Sequence, residues 1–224
     1  MSPMKYCPTL LFGLTLVGLA RADVFPSELV ITDPTPTRFS VCLNYGCDTV
    51  KIVGFQPNQW AAVKALFYRP PESAEQERER LKLAIALIEY LVGDLAGTSQ
   101  DKGGDLAGLG LPGQQDCIDE SVNTSLYLTL LQSVGLMRFH TVEDRATRGY
   151  FIFGYPHTTA VIRETKTGKQ YAVDSWFFDN GKPPVIIPIE IWKDGWEPPG
   201  STAQPVPTPP KGTPIGSSRT RDGE

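Results

Sequence analysis

The stretch Asp116–Gly135 constrains the fold more than any other part of this chain. Asp116 is a good N-cap residue, no proline interrupts the next nineteen positions, and Gly135 supplies a stop. The stretch therefore predicts a helix from Cys117 to about Ser133. On a wheel at ~100° per residue, Ile118, Val122, Leu126, Thr129 and Leu130 share one side. Cys117, Glu120, Ser121 and Thr124 share the other, and Leu128 and Leu131 continue that same face. The first turns are thus amphipathic, while the later turns are apolar almost all round. A helix of this kind runs from a polar mouth into the middle of a core, so the remaining elements must surround it.

Those elements can be read in order. Phe39–Leu43 and Thr49–Val53 are short β-like runs joined by turn chemistry at Asn44-Tyr45-Gly46, which predicts a hairpin. Asn58 is placed to cap a short helix over 59–68, stopped by Pro70-Pro71. Ser73 and Gln76 form a capping box for a longer helix, with Leu81, Ala84, Ile85, Ile88, Leu91 and Val92 as its buried face. The charge run Glu75, Glu77, Arg78, Glu79 and Arg80 reads as the solvated face of that helix. Residues 97–113 are glycine-rich and aperiodic, and they predict a mobile loop bordering a site. No Gly-Lys-Ser/Thr comes after them, so a phosphate-cradling loop is not indicated. From Gly149 the chain turns to strand-like runs at 150–153, 157–163, 170–178 and 185–187, with Thr165–Gly168 as a hairpin turn. Seven prolines and no aromatic residue fall in 197–224, a spacer that cannot build a core.

The 224 residues suffice for one substantial core, and 41% hydrophobic with 21% charged residues is an ordinary globular composition. A net charge of −4 gives no electrostatic case for nucleic acid as a partner. Lys5, the apolar run Leu10–Ala20 and Ala20-Arg21-Ala22 together predict a cleaved signal peptide over 1–22, with an uncleaved membrane anchor as the rival reading of a run that is short for spanning a bilayer. Its removal takes Lys5 and Arg21, leaving 19 basic against 25 acidic residues, a net charge of −6. No later run is apolar enough to span a membrane. Cys42, Cys47 and Cys117 then remain in an exported compartment, and three is an odd number. Cys42 and Cys47 are the natural disulfide pair; the alternative is three reduced cysteines with Cys117 simply buried.

Cys117 at a helix start is a candidate nucleophile, because the positive end of the helix favours a thiolate. A general base must then be oriented by a third group. With a turn at 165–168, Glu164 faces Lys169, Thr159 lies opposite Asp174, and His157 becomes a diagonal neighbour of Asp174 on one face. His157 is therefore the candidate base and Asp174 its orienter. His140, in a polar connector without an evident orienter, reads as a surface histidine. Asp116, Asp119 and Glu120 oppose thiolate formation, so the sulfur needs a positive His157 nearby or a bound cation.

A helix-start cysteine with histidine and aspartate after it on consecutive strands resembles the transglutaminase-like branch of the papain-type fold. More narrowly it resembles the bacterial transglutaminase-like cysteine proteinases. The matching residues are Asp116-Cys117 with Asp119, His157-Thr158-Thr159-Ala160-Val161, and Val173-Asp174-Ser175-Trp176. The resemblance implies an α+β fold, with a central Cys-bearing helix packed on an antiparallel sheet and a catalytic domain over 58–196. An N-terminal extension over 23–57 carries the hairpin. It implies a periplasmic or secreted peptidase acting on a protein or peptide, including cell-surface proteins, through a Cys117–His157–Asp174 triad and a thioester. No cofactor is required; if calcium binds, Asp116, Asp119 and Glu120 are the candidate ligands. The Cys117 N–H is the default oxyanion donor, with Gln114 or Gln115 as a side-chain alternative. The chain departs from the pattern at Thr158-Thr159, where transglutaminases carry an aromatic residue, and at Ile118, where calcium-regulated proteinases carry an acid. Acyl transfer to amines and a non-catalytic cell-envelope binding module are the alternative functions.

Overall fold

The computed structural model describes residues 30–105, 107–149 and 156–199. The expected signal segment, the strand expected at 150–153 and all but the first three residues of the proline-rich tail lie outside the described residues. Within them the chain is α+β, with two antiparallel sheets and four helices. None of those helices is long and apolar enough to cross a membrane.

The hairpin forms over the expected residues. β1 (Phe39–Leu43) pairs with β2 (Thr49–Val53), and every β1 residue is buried. The next helix, α1 (Pro57–Ala65), begins earlier than Asn58 suggests. Gln59 reaches back to the Gln56 N–H at 2.8 Å, and Pro57 suits the first helical turn, where its missing N–H costs nothing. α2 (Ala74–Ala96) starts where Ser73 Oγ accepts the Gln76 N–H at 3.2 Å and ends on Gly97 at φ 83°. The Gln76 side chain accepts from the Glu72 N–H, one residue before the cap, so the reciprocal half of the capping box is displaced.

α3 (Cys117–Ser133) runs through the middle of the molecule. Asp116 Oδ1 accepts the N–H groups of Ile118 and Asp119, each at 3.0 Å, satisfying two orphan donors of the first turn. Its flanks pack against β1 on one side and against the larger sheet on the other. Leu128, Leu130 and Leu131 are fully buried and share one core with Phe39, Val41, Ile85, Ile88 and Ile162. Each such side chain contributes ~1.5–3 kcal/mol by leaving water. The hairpin, α2, α3 and the larger sheet therefore share a single core.

The larger sheet has the order β3–β4–β5–β6, all antiparallel, with β3 (His140–Arg148), β4 (His157–Glu164), β5 (Gln170–Asp174) and β6 (Val185–Pro188). The β4–β5 turn sets the expected register: Arg163 pairs with Gln170 and Ala160 with Val173. Glu164 N–H meets the Lys169 carbonyl at 2.8 Å. Extending that register places His157 diagonally across from Asp174. The strand expected over 170–178 ends at Asp174, where the chain turns, and two further elements differ from the sequence-based expectation. The residues of β3 are mostly polar and suggest a connector, but that composition also suits the half-exposed edge strand that it is. The five-residue helix α4 (Ile189–Lys193) begins directly after β6 and is too short to show periodicity.

Glu77 corrects the expectation that the α2 charge run is a solvated face. It is fully buried. Its carboxylate accepts the backbone N–H groups of Arg138, Phe139 and His140, tying the start of α2 to the start of β3.

Candidate active site

The start of α3 carries Cys117, the start of β4 carries His157 and the end of β5 carries Asp174; His157 and Asp174 are hydrogen-bonded, whereas the Cys117 sulfur is not a hydrogen-bond partner of the His157 ring. Cys117 is the first residue of α3, and its sulfur lies 3.8 Å from the Pro156 carbonyl oxygen. The Thr158 backbone N–H also faces that sulfur. The thiol is thus bracketed by the residues on either side of His157. His157 Nε2 meets Asp174 Oδ2 at 2.7 Å, and both residues are buried. Because Nε2 is engaged by a carboxylate, it carries the donated hydrogen, and Nδ1 is left as the basic nitrogen. Nδ1 is buried and has no hydrogen-bond partner among the described residues. Trp176, Phe177 and Trp192 surround the imidazole, with ring centroids 4.8, 5.2 and 5.5 Å away.

The sulfur's surroundings oppose its ionisation. Burial pushes the Cys117 thiol up to about 12, with Asp116 and Asp174 adding to the rise, while the N–H groups of Thr158 and of Cys117 itself act against it. A thiol held this way stays protonated until something takes its proton. The open Nδ1 of His157 has the chemistry for that.

Two residues that the sequence did not mark stand behind the pair. Trp192 of α4, fully buried, donates its indole N–H to Asp174 Oδ2 at 2.6 Å, the same oxygen that holds His157. Arg148, which pairs with His157 across β3 and β4, lies 4.7 Å over the Trp192 ring. Its Nη1 donates to the carbonyls of Trp192 and Trp196. The aromatic content of 176–196 was the only available signal, and nothing in it pointed to Asp174.

The acids around Cys117 are placed for structure. Asp119 accepts N–H groups from Cys47 at 2.7 Å, Tyr45 at 2.8 Å and Asp116 at 3.1 Å. Asp116 Oδ2 accepts the Gly46 N–H at 3.0 Å. These bonds hold a loop in which Asn44, Tyr45, Gly46 and Cys47 all have φ between 59° and 71°, a conformation that costs non-glycine residues roughly 1–2 kcal/mol each. The Cys42–Cys47 disulfide closes the same loop, leaving Cys117 as the free cysteine among the described residues. Glu120 turns elsewhere and accepts from Ser175 Oγ at 2.6 Å. Among the described residues no group of three or more His, Cys, Asp or Glu is disposed to hold a metal ion. The calcium ligand set Asp116, Asp119 and Glu120 is therefore not assembled, because backbone N–H groups and a serine hydroxyl occupy those carboxylates.

The two glutamines also have partners. Gln115 Nε2 donates to the Cys42 carbonyl at 2.9 Å, and Gln114 Nε2 to the Gln100 carbonyl at 3.0 Å. Both are buried and fasten loops, each through one of the two hydrogens of its amide. The glycine-rich segment does border the site. Gly104 N–H meets the Trp176 carbonyl at 2.7 Å, and a side chain on Gly103 would overlap the Phe178 backbone.

His140 corrects the expectation of a surface histidine. It is 2% exposed, with Nδ1 against Glu77 Oε1 at 2.9 Å and Nε2 against Arg78 Nη1 at 3.2 Å. The orienter absent from its sequence neighbourhood comes from α2, more than sixty residues away in the chain. No protein-family model, curated protein or solved structure matches this chain.

Proposed function

We propose that the chain is an exported cysteine peptidase of the transglutaminase-like branch of the papain-type fold, with Cys117 as nucleophile, His157 as general base and Asp174 as orienter. One observation carries the reading: Asp174 holds His157 through Nε2 at 2.7 Å, leaving a buried, unpartnered Nδ1 on the residue whose two chain neighbours touch the Cys117 sulfur. The Cys42–Cys47 disulfide supports export, because such bonds persist in oxidising compartments.

The chemistry can be derived from these atoms. Nδ1 takes the thiol proton as Sγ attacks the carbonyl carbon of a peptide bond. The oxygen of the tetrahedral intermediate is met by the Cys117 N–H at the start of α3, where the helix dipole favours negative charge. The imidazolium then returns its proton to the leaving amine as the C–N bond breaks, giving a thioester and the first product. Water attacks the thioester, His157 accepts its proton, and the acid product leaves as the thiol is restored. Throughout, Asp174 holds the ring in one tautomer and stabilises its positive form. The raised thiol fits this order of events, in which proton removal accompanies attack and no standing thiolate is needed.

The test is incubation of the intact chain with an unfolded protein substrate, with and without excess primary amine. The reading expects new N-termini that depend on Cys117 and persist when amine is added. Amine adducts without chain cleavage would indicate acyl transfer instead. Neither product, from a chain whose thiol is intact, would leave the binding-module function.

A further inference from the structure

We propose that Trp192 is a positioning residue of this site: its indole N–H fixes the Asp174 oxygen that holds His157, and Arg148 keeps the indole in place. The inference rests on the Cys117–His157–Asp174 reading and deepens it.

The geometry is specific. Asp174 Oδ2 receives Trp192 Nε1 at 2.6 Å and His157 Nε2 at 2.7 Å. A carboxylate at the end of a strand can turn about its Cα–Cβ and Cβ–Cγ bonds. Two donors converging on one oxygen stop that rotation with the oxygen facing the imidazole. Trp192 can serve because its ring is fixed independently of its N–H. It packs with Ile189, Val161 and Ala172 in a cluster of its own, and Val161 and Ala172 are cross-strand partners in β4 and β5. Arg148 adds a clamp from β3, with its guanidinium over the ring and Nη1 on the Trp192 carbonyl. A buried tryptophan needs some acceptor for its N–H. Here the acceptor is the orienting carboxylate.

The second donor also divides the carboxylate's charge. Withdrawing the indole N–H leaves more of that charge for the imidazole and favours its protonated form. Nδ1 is then free to accept the thiol proton only at higher pH. Replacing Arg148 acts in the same direction and more weakly, by removing a nearby positive charge and loosening the ring.

The experiment compares the intact chain with Trp192→Phe, Arg148→Met and His157→Ala. The rate of Cys117 capture by iodoacetamide is measured between about pH 5 and 9, the range in which an imidazole titrates, and the melting temperature of each chain is recorded. Trp192→Phe keeps an aromatic ring in the cluster and removes the donor together with part of the buried ring volume, a packing loss that the melting temperature reads separately. Its acid limb is expected to move up by about half to one pH unit, the size of one charge-assisted hydrogen bond redistributed. Capture near pH 6 should then fall ~3–10-fold. Arg148→Met should move the limb the same way by less. A purely structural role would lower the melting temperature and leave the limb of the folded chain where it was. A Trp192→Phe profile that superimposes on the intact one, with His157→Ala slowed, overturns the inference and spares the triad. If His157→Ala is not slowed, the triad reading falls and this inference with it. Should Trp192→Phe fail to fold, Arg148→Met decides: a shifted limb supports the inference and an unshifted one overturns it.

Discussion

His140 and His157 each lie against a buried carboxylate, at 2.9 Å and 2.7 Å, yet the two imidazoles differ in what meets the second ring nitrogen. At His140 both ring nitrogens are engaged, one by Glu77 and the other by the Arg78 guanidinium. Glu77 is itself saturated by three backbone N–H groups, and both side chains are sealed from solvent. At His157 only Nε2 is engaged among the described residues, and the open Nδ1 belongs to the residue flanked by both neighbours of the thiol. A histidine with both nitrogens occupied fastens secondary structure together. One with a carboxylate on a single nitrogen keeps a second nitrogen able to accept a proton, the role proposed for Nδ1 of His157. The carboxylate alone does not distinguish the two.

The largest expected effect would break this comparison outright. If the proposed peptidase activity holds, Asp174→Asn should lower it ~10²–10⁴-fold, as loss of an oriented base does. Glu77→Gln should leave the rate per folded molecule within about twofold, since stability and not chemistry is what it changes. Comparable losses of kcat in both variants would erase the distinction between the two pairs.

Stability should show the reverse order. Glu77→Ala strands three backbone donors and a histidine N–H, and removing one partner of a buried network costs ~3–5 kcal/mol. Asp174→Ala strands two side-chain donors at the edge of the core and should cost about 1–3 kcal/mol. Urea unfolding of the two variants checks the order, and a Glu77 variant as stable as the intact chain would contradict it.

A smaller effect comes from three acids buried near the start of α3, of which Asp119 is pushed up to about 7 from 3.8 by burial and, after it, by the charge of Asp116. Burial, and after it the charge of Glu120, pushes Asp101 up to about 8 from its ordinary 3.8. Burial likewise pushes Glu120 up to about 7 from 4.5, with Asp174 and Asp116 adding to it. Carboxyls raised in the folded state bind protons more tightly there than in the unfolded chain. The stability they contribute is fully present below their ordinary values and is lost as pH rises through the raised ones. The melting temperature should therefore fall as pH rises from about 4 to about 8. Asp101→Asn should flatten that fall. A melting temperature that rises over this interval would show that these acids do not govern it.

Legibility in the sequence tracks the range of the interactions. The α3 cap, the β1–β2 hairpin and the β4–β5 register are local, set by Asp116, by Asn44–Gly46 and by the Thr165–Gly168 turn. The register alone brings His157 to Asp174, because side chains on a strand alternate faces and a turn fixes the count. The features that sequence reasoning misses are non-local. Glu77 reads as one more charge on a helix until β3, more than sixty residues later, delivers its N–H groups. Trp192 reads as one more aromatic until α4 sets its N–H against a carboxylate eighteen residues earlier. The acids of 116–120 are visible in the sequence, but their role is not, because their partners lie in the Tyr45–Cys47 loop and at Ser175.

The proposed chemistry stands on His157, and not His140, taking the proton from Cys117. Its most direct test is the rate of iodoacetamide capture of Cys117 near neutral pH in the intact chain and in His157→Ala, each verified as folded. Capture should be slowed at least ~100-fold by the substitution, the lower end of what an oriented base contributes. Equal rates in the two folded chains would contradict the proposal.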